Sequence, residues 1–202
     1  VKQGKLIPEE LWIKFVNSLE SGFDALETNN ERAKREVAEA VVNAVKKRIA
    51  PRFGVLFSGG VDSSLIAFIA KQLKCNFTCY TVGIEGSDDI EWAQKAANEH
   101  GLDFKCKILS LEELEIVLKN AIKILNDADI VKASVGSVLY AAGKLAISDG
   151  SNVLFGGLGS EEIFAGYKRH EDALSNNNFE ALHKECWNGL KNMWQRDLAR
   201  DF

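Results

Sequence analysis

Val55-Leu56-Phe57-Ser58-Gly59-Gly60-Val61-Asp62-Ser63-Ser64 is the stretch on which the reading of this chain turns. Its first three residues are an apolar run that reads as a buried strand, and Asp62-Ser63-Ser64 opens an amphipathic helix. Between them, Gly59 and Gly60 carry no Cβ, so the backbone can approach an anion closely. The helix starting near Val61 directs its unpaired N–H groups and the positive end of its dipole at the same place. Ser58, Ser63 and Ser64 add hydroxyl donors, and Asp62 is a hard-oxygen ligand of the kind that holds Mg²⁺ beside phosphates. The pattern suits a pyrophosphate group. An ordinary strand-to-helix turn needs neither three hydroxyls nor the aspartate.

Working outward, apolar positions at Leu11, Ile13, Phe15, Val16 and Leu19 predict a helix over 8–27, with Pro8 in its first turn. A second helix is expected from Asn30 to Ile49, ending before Pro51. Strands are expected at 53–57, 76–83, 104–108 and 152–156, with helices at 61–73, 88–100, 111–125 and 131–148. Ser110 followed by Glu113 makes a capping box for the third of these helices. Strands separated by helices of this length imply right-handed crossovers and an α/β fold, a doubly wound parallel sheet with helices on both faces. Ligands of such sheets bind beyond the carboxyl ends of the strands, near the point where strand order reverses. The Ser-Gly-Gly turn, Val82-Gly83 and Phe155-Gly156-Gly157 all fall at such ends. A last helix is expected over 179–200.

The 202 residues allow one α/β domain with extra helices, and 46% hydrophobic with 27% charged residues is ordinary for a globular protein. The net charge of −4 and the absence of a basic block give no sign of a nucleic-acid partner. No apolar run of membrane-spanning length and no signal peptide is read from the sequence, so no membrane association and a cytoplasmic location are the expectation. Cys75, Cys79, Cys106 and Cys186 are expected to be packing residues, Cys79 and Cys106 inside apolar strands. His100, His170 and His183 lack metal-ligand spacing and are expected at the surface or at helix caps.

Gly156-Gly157-Leu158-Gly159-Ser160-Glu161-Glu162-Ile163-Phe164-Ala165-Gly166-Tyr167 is a second constellation. Its glycines again open a strand end, and a serine then begins a short helix with two carboxylates. If Glu161 faces the first loop, Glu161 and Asp62 together suit one or two Mg²⁺ ions. A capped helix with acids placed for its dipole reads equally well from this segment alone.

The strand followed by SGGxDS resembles the PP-loop of ATP pyrophosphatases (the adenine nucleotide alpha hydrolase-like fold); no Walker A pattern occurs. The order of motifs resembles the synthetase domain of asparagine synthetases over residues 31 to 202. The segment from Thr81 to Asp89 and on through Ala96-Ala97 looks like that family's second strand and following helix, Lys132-Ala133-Ser134 is similar to its R-A-S segment, and Arg196 to Asp201 to its R-D-x-x-R-D stretch. The resemblance implies ATP and Mg²⁺, with Ser58, Gly59, Gly60, Asp62, Ser63 and Ser64 around the pyrophosphate. It further implies Phe57, Val82 and Gly83 near adenine, Gly156 and Gly157 near the ribose or α-phosphate, and Asp62 and Glu161 on the metal. Asp62, Glu161 and Glu162 are the catalytic candidates.

The implied reaction adenylates a small carboxylate, aspartate first, and amidates it with ammonia. Three departures bear on it. Leu158 stands where the family has a glutamate, Gly136 replaces a proline, and the family's later segments are not in the sequence. The expected organisation is a helical extension over 1–50 and a synthetase domain over 51–202 cut short at its C-terminus. No glutaminase domain is expected, so a separate glutaminase subunit is a candidate ammonia source; a homodimer is a further candidate assembly. An ATP-binding subunit without full catalysis and a tRNA-modifying PP-loop enzyme are the competing readings. The acidic balance and poor cysteine spacing speak against the latter.

Overall fold

The computed structural model describes residues 8–19, 21–22, 27–176 and 178–193. The helix elements are α1 Glu9–Ser18, α2 Asn30–Lys46, α3 Val61–Gln72, α4 Asp88–His100, α5 Leu111–Leu125, α6 Ile130–Ser148, α7 Ser160–Phe164, α8 Lys168–Ser175 and α9 Phe179–Met193. The strands are β1 Phe53–Leu56, β2 Phe77–Ile84, β3 Phe104–Leu109 and β4 Leu154–Phe155. They divide into two compact units, one of residues 37–157 and one of residues 1–36 with 158–202. Helix α1 belongs with α9: the Trp12 indole N–H donates to the Leu190 carbonyl at 3.0 Å.

The 37–157 unit holds a parallel sheet in the order β3-β2-β1-β4. Phe53 to Leu56 pair with Phe77 to Tyr80, Cys79 to Ile84 with Phe104 to Leu109, and Gly54 and Val55 with Leu154 and Phe155. Strand alternation sends Phe53, Val55, Phe57 and Cys79 to one face, where they pack on Ala67 and Ala70 of α3 and Ala93 and Ala97 of α4. On the other face Val82 and Leu109, with half-buried Leu56, meet Val117 of α5 and Ala141 and Ala142 of α6. Alanines at these contacts let the helices lie close to the sheet, and both faces are covered, as the doubly wound reading requires. The chain builds β1, β2 and β3 outward in one direction and then returns to the far side of β1 for β4. The order therefore reverses between β1 and β4.

Several element bounds depart from expectation. Helix α1 ends at Ser18, short of residue 27, and residues 20 and 23–26 lie outside the described ones. Helix α2 stops at Lys46, where a tighter turn brings the Arg48 N–H to the Val45 carbonyl and the Arg48 guanidinium caps the Ala44 carbonyl. Strand β4 keeps only two ladder residues, beside β1 alone. The expected helix over 179–200 is described to Met193, and the Arg196–Asp201 stretch lies outside the described residues. Ser110 and Glu113 do form the expected reciprocal capping box.

Cys79 is fully buried, and desolvation, aided by Asp103, pushes its thiol up to about 12, so it stays protonated and inert. Cys106 is exposed, against expectation, because β3 is the edge of the sheet and its middle residues lack a covering helix. Helix α6 is, against expectation, long and apolar enough to cross a membrane by length and composition. Its apolarity comes largely from small residues, of which Ala133, Ala141, Ala142 and Ala146 are buried.

Beneath the α5–α6 side, Asp149 collects three partners. Lys105 forms an ion pair with one carboxylate oxygen, while the Tyr80 hydroxyl donates to the other at 2.6 Å and Arg52 pairs with it at 2.9 Å. Lys105 first, then Tyr80 and Arg52, pull the Asp149 carboxyl down to about 2. Tyr80 reaches Asp149 across Gly54, where an added Cβ would come within 2.6 Å of the tyrosine ring.

Candidate functional site

The loop Ser58–Gly60 joins the buried end of β1 to α3, directly at the strand-order reversal. Gly59 adopts φ +74°, and a Cβ there would sit 2.8 Å from the Trp92 carbonyl oxygen, so α4 closes the back of the loop. Gly60 is the N-cap of α3 and has no side chain with which to cap it. The first turn of the helix therefore offers its N–H groups toward the loop.

Hydroxyls line the same turn. The Gly60 N–H donates to Ser58 Oγ at 3.3 Å, the Ser58 N–H donates to Ser63 Oγ at 3.3 Å, and Ser63 Oγ donates to the Gly60 carbonyl at 3.2 Å. Ser58 Oγ and Ser63 Oγ lie 3.3 Å apart. All four contacts are at the long end of hydrogen bonding, so either hydroxyl can turn to an incoming oxyanion at small cost. Ser63 is buried; Asp62 and Ser64 are half-buried in the same first turn.

The second strand end comes to meet this loop. A Cβ on Gly157 would lie 2.7 Å from the Asp62 Cβ, so the backbone after β4 runs against the first turn of α3. Gly156 has ordinary room, its nearest neighbour being Leu56 Cδ1 at 3.7 Å. Gly83, at the end of β2, packs on Ile90, to which a Cβ would come within 3.0 Å. Ser58, Gly59, Gly60, Asp62, Ser63 and Ser64 thus share the loop and first turn of α3, Gly157 lies against them at Asp62, Gly156 precedes it beside Leu56, and Val82 and Gly83 end the neighbouring strand.

Phe57 sits differently. Its side chain is buried on the α3–α4 face, edge-on to Phe104 with ring centroids 6.3 Å apart, and its backbone pairs with Tyr80 and the Thr81 hydroxyl. Strand alternation puts Leu56, not Phe57, on the same face as Val82. Leu56 was not among the expected residues: the period of two in Phe53, Val55 and Phe57 sets it on the opposite face, and only the strand pairing shows that this face is Val82's.

In the other unit, α7 carries Glu161 and Glu162. Gly159, φ +93°, turns the chain into this helix, and Ser160 Oγ donates to Glu161 Oε2 at 3.2 Å. Glu161 is half-buried. Glu162 is only 2% exposed and accepts a 2.7 Å hydrogen bond from the Tyr167 hydroxyl. Gly189 of α9 packs on it: a Cβ there would lie 3.2 Å from the Glu162 Cγ. The Tyr167 N–H in turn donates to Nδ1 of buried His170 at 3.3 Å, so His170 is a helix cap, one of the two placements expected of the histidines. Glu162 thus ties α7 to the start of α8 and to α9. Leu158, just before α7, is half-exposed.

Among the described residues no three His, Cys, Asp or Glu side chains gather as a metal cluster. Asp62 offers hard carboxylate oxygens beside the Ser58–Gly60 loop, a donor set that fits a Mg²⁺ ion taking its other ligands from phosphate and water.

The family model described as asparagine synthase matches residues 36–201. The chain is 37% identical over 188 residues to a protein assigned as a glutamine-hydrolyzing asparagine synthetase in Methanocaldococcus jannaschii, covering 89% of this chain and 35% of that one. It is 36% identical over 195 residues to the glutamine-hydrolyzing asparagine synthetase of Gallus gallus, covering 92% and 33%. Among solved structures it is similar to the NH3-dependent NAD synthetase from Campylobacter jejuni, with TM-score 0.47 and 17% identity over 87% of this chain and 97% of that one. The chain spans about a third of the length of the curated relatives it matches. With the family model matching residues 36–201 and a relative 37% identical over 89% of the chain, the chain belongs to the asparagine synthase family.

Proposed function

We propose that this chain is the ATP-using part of an amide-forming ligase that activates a small carboxylate, aspartate first among the candidates, as its acyl-adenylate. The observation that carries the reading is the Ser58–Ser64 loop at the strand-order reversal, with α3 uncapped by any side chain at Gly60 and Gly157 pressed against Asp62. A carboxylate oxygen attacks the α-phosphorus of ATP, the bond from that phosphorus to the bridging oxygen breaks, and pyrophosphate leaves. Ammonia then attacks the acyl carbon, loses a proton and expels AMP.

The chain's own contribution is alignment and charge neutralisation. The first-turn N–H groups of α3 and the hydroxyls of Ser58, Ser63 and Ser64 receive the leaving pyrophosphate, whose negative charge grows as the bond breaks. Leu56 and Val82, side by side on one face, are the apolar flank offered to the adenine ring. Asp62 is the carboxylate assigned to Mg²⁺, which when bound neutralises phosphate charge. The relatives are described as glutamine-hydrolyzing, which supports a glutaminase partner as the ammonia source. Leu158, an apolar side chain in the position of the family's glutamate, favours one second reading, an ATP-binding component that does not complete amidation.

Release of AMP and pyrophosphate from Mg·ATP, with aspartate and ammonium and with Asp62→Ala as control, tests the proposal. Aspartate-dependent AMP that the substitution abolishes is the expected result. ATP binding without pyrophosphate release across a panel of carboxylates would select the second reading.

A further inference from the structure

A cleft of about 480 Å³ opens between α3 and α4 in the 37–157 unit. We propose that it binds a small aromatic carboxylate, on the face of the sheet opposite the adenine flank of Leu56 and Val82 and sharing Gly59 and Ser64 with the Ser58–Ser64 loop. The volume falls in the range of small-ligand sites. Helix α4 spends Ala93 and Ala97 on the sheet, which leaves Trp92 on its outer side with 63% of its surface exposed. A tryptophan is the side chain that gains most from being covered, so so large an exposed ring marks a surface that takes an occupant.

The opposite wall is continuous and apolar. Val61, Leu65 and Phe68 follow one another at helical spacing along α3. Phe68 is met edge-on by His100, with ring centroids 4.5 Å apart, closing the lower end with a second aromatic surface. Aromatic side chains from both helices in the lining, Trp92 and Phe68, suit a flat ring, by offset stacking or edge contact.

Charge in the cleft selects an anion on that ring. Lys95 Nζ lies 5.5 Å from the centroid of the Trp92 ring, within reach of a carboxylate carried by a ligand stacked there. Gly59 and Ser64 form the upper rim, where α3 begins, so the positive end of the helix dipole and a serine hydroxyl face the same end. Glu99, one helical turn below Lys95, repels a carboxylate from the lower end and so sets the ligand's direction. The ring lies against Trp92 and Leu65, and the carboxylate points to Lys95 and Ser64.

The test is calorimetric titration of the protein, without nucleotide, with indole-3-acetate, and with indole and acetate as ring-only and charge-only probes. Because no ATP is present, the outcome is independent of the adenylation reading. Indole-3-acetate is expected to saturate with Kd below about 1 mM. Trp92→Ala is expected to weaken it about tenfold or more, the loss of one stacked aromatic partner. Lys95→Met is expected to weaken indole-3-acetate about fivefold while leaving indole unchanged. Both side chains are exposed, and circular dichroism verifies that the variants fold. Lack of saturation below about 10 mM, unchanged affinity in Trp92→Ala, or equal weakening of indole and indole-3-acetate in Lys95→Met would overturn the proposal.

Discussion

Replacing Gly59 by alanine isolates the geometry on which the anion loop depends. Gly59 holds φ +74°, and a Cβ there would be 2.8 Å from the Trp92 carbonyl oxygen, 3.0 Å from the Trp92 carbonyl carbon and 3.1 Å from the Ala93 Cα. All three are backbone atoms of α4, so no side chain can swing aside. The left-handed conformation costs an alanine roughly 1–2 kcal/mol, and forcing a methyl into closed space adds about 1–3 kcal/mol. Gly86 supplies the matched control, with φ +75° and nothing within 4 Å of its added Cβ. Gly86→Ala carries only the conformational cost, so the two variants should differ by about 1–3 kcal/mol. Urea denaturation of both, with ATP titration of the folded protein, reads the result. Gly59→Ala should be the less stable, or should relieve the clash by displacing the loop and lose ATP affinity, while Gly86→Ala keeps affinity. Equal denaturation midpoints together with equal ATP affinity would refute the wedge between loop and α4.

Gly157→Ala places a Cβ 2.7 Å from that of Asp62 and should cost about 1–3 kcal/mol of stability or an equivalent loss of ATP affinity, checked by the same two assays. Asp149, held near 2 by Lys105, Tyr80 and Arg52, makes a pH-dependent contribution. Its folded pKa lies below the ordinary carboxylate value, so its stabilisation is complete above about pH 4 and is lost as pH falls toward 2. Asp149→Asn should flatten that part of the acid denaturation profile followed by circular dichroism. Tyr167→Phe removes a donor 2.7 Å from buried Glu162 and should cost about 1–3 kcal/mol in urea denaturation. A change within error would mean that the buried carboxylate does not depend on that hydroxyl.

Features set by neighbouring residues were legible in the sequence. The Ser110–Glu113 capping box, the extents of α4 and α5 and the loop after β1 follow from local spacing, and local spacing decides them physically. Features set by strand order were not. Cys106 looks like a core residue until β3 proves to be an edge, and Leu56 takes the place beside Val82 only once the helices are assigned to their faces. The Asp149 cluster joins Arg52, Tyr80 and Lys105 from three strand regions, separations of 44 to 97 residues that no local pattern signals. In the second motif Tyr167 stands five residues after Glu162, close enough to be noticed. The burial of Glu162 against Gly189 of α9 was invisible, and that burial makes it a tie among α7, α8 and α9.

The central claim is attack of a carboxylate oxygen on the α-phosphorus at the Ser58–Ser64 loop, and isotope transfer tests it most directly. Aspartate labelled with oxygen-18 in its carboxylates is incubated with Mg·ATP, ammonium and the protein, and the nucleotide products are read by mass spectrometry. Adenylation predicts AMP carrying one labelled oxygen in its phosphate, together with unlabelled pyrophosphate. ADP with labelled inorganic phosphate would show attack at the terminal phosphorus and contradict the account.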